Sequence, residues 1–91
     1  MSISILNRAI KHYGATMQED VAIEEMSELT QAIIHFRRGR EHNIAEEIAD
    51  VEIMLEQLKI IYQCAPLTEH FKAVKIARLE ERMSNNEIDR C

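Results

Sequence analysis

Residues that favour turns fall at only three places in this chain: Gly14-Ala15, the stretch from Gly39 to Asn43, and Cys64-Ala65-Pro66. Three breaks leave four segments, and inside them apolar residues recur with the helical period instead of alternating. In the second segment Ala22, Met26, Leu29, Ile33 and Phe36 step by 4, 3, 4 and 3, and in the third Ile44, Ile48, Val51, Leu55, Leu58 and Tyr62 step by 4, 3, 4, 3 and 4. Each series occupies one face of an α-helix and is expected to be its inward face. Thr16 and Glu19 have the spacing of a capping box ahead of the second helix. Asn43, with Glu46 three residues on, supplies a cap for the third. The first segment, 4–12, reads as a short cover helix carrying Ile5, Leu6, Ala9 and Ile10. The fourth, 68–84, follows Pro66, which a first helical turn tolerates, and brings Phe71, Val74, Ile76, Leu79 and Met83 to close the bundle. The expected fold is all-α: a single four-helix, bundle-like domain over residues 1–91, with two long antiparallel helices at its centre and a frayed tail at 85–91.

A chain of 91 residues hides only about 60–65% of the surface it exposes when unfolded, so its own core is thin. Apolar residues make up 46%, with no Trp, two Tyr and two Phe; that favours Leu, Ile, Met and Ala helix packing and leaves apolar surface for an oligomer to bury. A net charge of −5 argues against a nucleic-acid duplex as partner, because such binding needs a basic surface to displace counterions. Cys64 and Cys91 stand in unlike contexts and suggest neither a disulfide framework nor a thiolate zinc site. Nothing approaches the ~18–20 apolar residues of a membrane span, and the first eleven residues lack the apolar run of a signal sequence. A cytoplasmic protein with no membrane partner is expected.

An internal echo carries the chemistry. Ile23-Glu24-Glu25-Met26-Ser27-Glu28-Leu29 and Ala45-Glu46-Glu47-Ile48-Ala49-Asp50-Val51 both read apolar, acid, acid, apolar, small, acid, apolar. Glu25 with Glu28, and Glu47 with Asp50, lie one turn apart on one helical face. If the two helices run antiparallel, four carboxylates converge beside the apolar seam. Their axial levels differ by ~8–9 Å at 1.5 Å per residue, an offset that the loop or a displaced start of the third helix must absorb. Like charges at this spacing destabilise a helix unless something neutralises them, yet no Lys or Arg occurs at 12–36 or 41–58, stretches holding five and six acids. Hard oxygen donors with no Cys and no Glu-x-x-His step suit Mg²⁺, with Mn²⁺ as a substitute, better than zinc or iron. The plainer alternative is a solvated acidic face, with Glu46 only the capping partner of Asn43.

At these residues the chain resembles the MazG-like nucleotide pyrophosphohydrolases of the all-α NTP pyrophosphatase superfamily, whose signature is Glu-Glu-x-x-Glu on one helix and Glu-x-x-Asp on the next. Here the two halves read Glu24-Glu25-Met26-Ser27-Glu28 and Glu47-Ile48-Ala49-Asp50, eighteen residues apart. The likeness runs from about 22 to 58 and more loosely into the fourth segment. It implies Mg²⁺-dependent cleavage between the α and β phosphates of a (deoxy)nucleoside triphosphate, giving a monophosphate and pyrophosphate, in a homodimer or homotetramer. It also implies that Glu25, Glu28, Glu47 and Asp50 are the metal ligands. Glu24 is then available either to complete the metal shell or, as catalytic base, to orient the attacking water. Lys72, Lys75, Arg78 and Arg82 are candidates to grip substrate phosphates, and Lys75, Arg78 and Arg82 share a helical face. Many relatives place an Asn in this stretch; here Lys75-Ile76-Ala77-Arg78-Leu79-Glu80-Glu81-Arg82 has none before Asn85.

Two other functions fit the same acids. Phosphoribosyl-ATP pyrophosphohydrolase shares the fold and similar motifs, although the aromatic and His pattern expected after Asp50 is replaced by Val51-Glu52-Ile53-Met54. A non-enzymatic helical module that binds a basic partner through its acidic helices would show no metal dependence. His12, His35, His42 and His70 are scattered and read as structural. Met17, Met26, Met54 and Met83 read as apolar filler, and Arg37, Arg38 and Arg40 as charges that meet a helix C-terminus.

Overall fold

The computed structural model describes residues 3–85, and its described part is four helices with no strand: α1 (Ile3–Tyr13), α2 (Ala15–Arg37), α3 (Ile44–Ile61) and α4 (Ala65–Ser84). The tail expected at 85–91 lies, apart from Asn85, outside the described residues.

Local chemistry explains the breaks. Gly14 alone separates α1 from α2 at φ +93°, a backbone that L side chains rarely adopt. Thr16 therefore sits inside α2, and the capping box does not form: the N-cap position is Gly14, with no side-chain cap. Glu19 instead accepts a 2.7 Å hydrogen bond from the Tyr62 hydroxyl at the end of α3. At the other end of α2, Gly39 (φ +67°) sends its N–H to Phe36 O at 3.1 Å and Arg40 N–H reaches His35 O at 2.9 Å, the paired bonds of a Schellman stop. The same stop ends α3, with Gln63 N–H on Ile60 O at 3.1 Å and Cys64 N–H on Lys59 O at 3.0 Å. There the left-handed position, φ +53°, is held by Gln63. A non-glycine residue in that conformation costs about 1–2 kcal/mol, of which glycine's greater freedom in the unfolded chain takes back about 0.4–1 kcal/mol, so Gln63→Gly is expected to stabilise the fold by roughly 0.5–1 kcal/mol. Thermal unfolding checks this, and an unchanged or lower midpoint would show that the Gln63 side chain contributes more than its backbone costs.

α2 and α3 form the central antiparallel pair, and α1 lies across both, burying Leu6. The buried line of α2 is Gln18, Ala22, Glu25, Leu29 and Ala32; that of α3 is Glu47, Asp50, Val51, Met54 and Gln57, with Glu25, Leu29 and Asp50 only half-buried. Both lines differ from the expected stripes in the same sense. Glu25 takes the place of Met26, Ala32 of Ile33, Glu47 of Ile48 and Met54 of Leu55. Met26, Ile33, Phe36, Ile48, Leu55 and Tyr62 are exposed. Within one chain the helices thus turn their acid-bearing flanks toward each other and leave much of the apolar stripe outside.

The axial offset is resolved by overhang. Gln18 pairs with Gln57 and Glu25 lies against Asp50, so seven residues forward along α2 match seven back along α3. In this register Ile44 starts level with Gln31, and the last six residues of α2 project about 9 Å beyond α3. The displaced third-helix start is what the structure adopts.

α4 does not close the bundle. Among the described helices it packs against α3 alone, none of its residues is buried, and Leu67, Phe71, Val74, Ile76, Leu79 and Met83 are all exposed. Lys59 ties α3 to α4, paired with Glu56 on its own helix and 3.7 Å from Glu69.

Candidate metal centre

The rotation of α2 and α3 toward their acidic flanks places carboxylates where a bundle ordinarily keeps hydrocarbon. Glu25 from α2 meets Glu47 and Asp50 from α3, and one oxygen of each lies within 4.8 Å of the other two. Glu47 is only 5% exposed, while Glu25 and Asp50 are half-buried. Three carboxylates at such spacing repel strongly in a partly desolvated site.

Two details show how the site is held. Asn43 does not cap α3 with its side chain; its Nδ2 donates a 2.7 Å hydrogen bond to Glu47 Oε1 and fixes that carboxylate's rotamer. The expected partnership of Asn43 with Glu46 is absent, and Glu46 is exposed. The other oxygen, Glu47 Oε2, is buried without a hydrogen-bond partner among the described residues. A buried carboxylate oxygen left unpaired costs a few kcal/mol, and a cation is the partner that would satisfy it.

Glu25 feels the crowding most. Burial holds its carboxyl above the ordinary 4.5, and the charges of Asp50 and Glu47, a hydrogen bond with Asp50 and, last, the charge of Glu28 push the same way. The sign for stability follows directly. A carboxyl raised in the folded state favours folding below its unfolded value and loses that contribution as pH rises through its folded value. Without divalent metal, therefore, Glu25 destabilises the fold progressively from about pH 4.5 upward. The expected result is that chelated wild type loses thermal stability across this window relative to Glu25→Gln, and that Mg²⁺ removes the difference. Parallel pH profiles for the two proteins in chelator would contradict it.

Of the residues singled out in the sequence, Glu25, Glu47 and Asp50 come together. Glu28 is exposed one turn above Glu25, near enough to act on it by charge but outside the three-carboxylate group. Glu24, the residue before Glu25 on α2, is exposed and outside the group. The bases of α4 stand apart from it: Lys72 lies 3.5 Å from Glu69, and Lys75 and Arg78 are exposed on a helix that does not touch α2. Asn43 was read only as a cap, and Gln18 and Gln57 were not singled out at all. The signal for both glutamines was available in their positions, each seven residues from an acid of the cluster along its own helix.

Protein-family models, characterised proteins and solved structures give no match to this chain. The functional reading therefore rests on the residues themselves.

Proposed function

We propose that this chain is a Mg²⁺-dependent nucleoside triphosphate pyrophosphohydrolase of MazG-like type, releasing pyrophosphate from a (deoxy)nucleoside triphosphate. The observation that carries the reading is the buried, unpartnered Oε2 of Glu47 within a three-carboxylate cluster on two helices. A solvated acidic face would leave these oxygens in water and would not need Asn43 to orient one of them. The donor set is all oxygen, which suits Mg²⁺ or Mn²⁺.

In this reading Glu25, Glu47 and Asp50 hold the metal, and Glu28, which the sequence offered as a fourth ligand, lies outside that group and adds only its charge from one turn above. A divalent cation there would offset the negative charge of a triphosphate and make water a better nucleophile. Glu24, exposed and outside the cluster, is the acid assigned to take the proton of that water as general base. Lys72, Lys75, Arg78 and Arg82 would stabilise charge on the phosphate oxygens. Because α4 stays off α2, Lys75 and Arg78 serve this role in an assembly, toward the acids of a neighbouring copy.

Assembly has its own support. The accessible surface is 7376 Å², against about 5,500 Å² for a compact monomer of this mass. The radius of gyration is 16.2 Å, against about 12 Å for a compact domain of this length. The excess surface is of the size one copy hides in an obligate homodimer, and the exposed stripe of α2 and α3 with the bare α4 supplies apolar area to fill it. The proposed assembly is a homodimer or homotetramer.

The test is product analysis after incubation with a panel of common NTPs and dNTPs and with phosphoribosyl-ATP, with Mg²⁺ and with chelator. Equal amounts of nucleoside monophosphate and pyrophosphate, formed only with metal, are expected. Release from phosphoribosyl-ATP alone would move the substrate to histidine synthesis, and metal-independent binding of a basic protein with no turnover would replace the enzyme with an interaction module.

A further inference from the structure

Two turns below the acids, on the same inward faces, Gln18 of α2 donates through Nε2 to Gln57 Oε1 at 2.7 Å. Both side chains are nearly inaccessible, at 7% and 4% exposed. A chain with a core this thin has placed two amides in it where hydrocarbon would pack without further requirement, and the reaction itself does not use them.

Among the described residues two other polar contacts join α2 to α3, the Glu25–Asp50 hydrogen bond between the acids themselves and Tyr62 on Glu19, and neither is as fully buried as the amide pair. The six residues from 38 to 43 reach about 20 Å when extended, more than the overhang and the interhelical gap require, so the loop leaves slack. The apolar neighbours at the seam are Ala22, Ala32, Val51 and Met54, with Leu29 half-buried beside them. Alanine presents little relief, and methionine adapts its shape, so such a seam tolerates displacement by a turn. Tyr62 on Glu19 is exposed and adds little discrimination. The amide pair does discriminate, because a slip of one turn, about 5 Å, would set Gln57 against Ala22 and Gln18 against Ile61, or in the other direction Gln18 against Met54 and Gln57 against Ala15, and either way leave both amides without partners. A single buried polar pair specifying register is a well-attested use of such groups.

Building on the proposed metal site, we infer that the Gln18–Gln57 pair is a positioning device that locks α2 and α3 in the one register at which Glu25 stands opposite Asp50. The pair acts at a distance from the metal, through the rigid helices, and touches no ligand.

The experiment compares wild type with Gln18→Leu/Gln57→Leu. Spin labels at Gln31 and Glu52, both exposed, are placed in a Cys64→Ser, Cys91→Ser background diluted with unlabelled protein. Interhelical distance is read by pulsed electron paramagnetic resonance, Mn²⁺ affinity by titration, and stability by thermal unfolding. The expected result is an unfolding midpoint at or above that of wild type, a distance distribution broadened or shifted by about 5 Å, and Mn²⁺ affinity weakened about tenfold, the scale seen when groups that orient ligands are lost. Should the double variant not fold, Gln57→Met, which keeps the length and removes the acceptor, is read the same way. An unchanged distance distribution overturns the inference, and so does a shifted one with Mn²⁺ affinity intact. A shifted distribution in a protein whose wild type binds no Mn²⁺ would uphold the register lock and overturn the metal reading on which its purpose rests.

Discussion

Glu47→Gln is expected to abolish metal-dependent pyrophosphate release while making the metal-free protein more stable. The loss should be at least about 100-fold, because removing a group that merely orients a metal ligand already costs roughly 10- to 100-fold, and Glu47 is a proposed ligand. The stability gain has a separate origin. Glu47 Oε2 is buried and unpartnered, close to the carboxylates of Glu25 and Asp50. The substituted amide would keep an oxygen for Asn43 and present an N–H to those carboxylates, removing one charge and satisfying one buried position, for about 1–2 kcal/mol. In a domain of this size that raises the unfolding midpoint by several degrees. Opposite signs in activity and metal-free stability are the mark of a site built for a cation. If instead the variant were less stable in chelator, the Glu47 carboxylate would be a structural group with a partner of its own.

The second large effect concerns α4. Leu67→Glu/Phe71→Glu changes two side chains that are 56% and 51% exposed in the single chain. Were the chain a monomer, such substitutions would shift stability by no more than about 0.5 kcal/mol each. In the proposed assembly these side chains are interface hydrocarbon, and a charge there costs about 2 kcal/mol or more per site, enough to weaken association at least about 100-fold. Sedimentation should show wild type as a dimer or tetramer and the variant as a monomer, with an unfolding midpoint that has fallen and no longer depends on protein concentration. A wild type that sediments as a monomer, or a variant that assembles as wild type does, would contradict the assembly and with it the role given to Lys75 and Arg78 across a subunit boundary.

The sequence revealed the four helices well because their limits are written in local chemistry. Gly14 and Gly39 occupy positive-φ positions that other residues rarely take, and apolar periodicity marks each long segment. It misled on which face is inside. A stripe drawn from hydrophobicity alone passes through Met26, Ile33, Ile48 and Leu55, whereas the buried line runs through Gln18, Glu25, Glu47 and Gln57. Those polar side chains are stable inside only through partners: an amide across the seam, Asn43 on Glu47, and in the proposed function a cation. Partners on another helix are invisible to periodicity. The apolar stripe in turn lacks its counterpart within one chain. The helical register was equally hidden, since a six-residue loop allows several.

The site was legible to the extent that repetition marked it. The echoed acids picked out Glu25, Glu47 and Asp50, which do meet. Spacing alone did not separate them from Glu28, one turn out of reach of the cluster, or reveal that Asn43 turns from the helix end to a carboxylate. For α4 the sequence registered the bases but not that the helix would leave the pair, because which helices a segment meets is not written in its own periodicity; among the described elements α4 meets α3 alone and buries no residue.

The most direct test of the central claim is a Mn²⁺ titration followed by electron paramagnetic resonance, on wild type and on Glu47→Gln and Asp50→Asn, at neutral pH in the absence of nucleotide. Saturable binding by wild type, competed by Mg²⁺ and weakened at least about tenfold in both variants, is the result predicted for a cation site at Glu25, Glu47 and Asp50. Wild type that leaves the Mn²⁺ signal unchanged, or variants that bind as tightly as wild type, would contradict it.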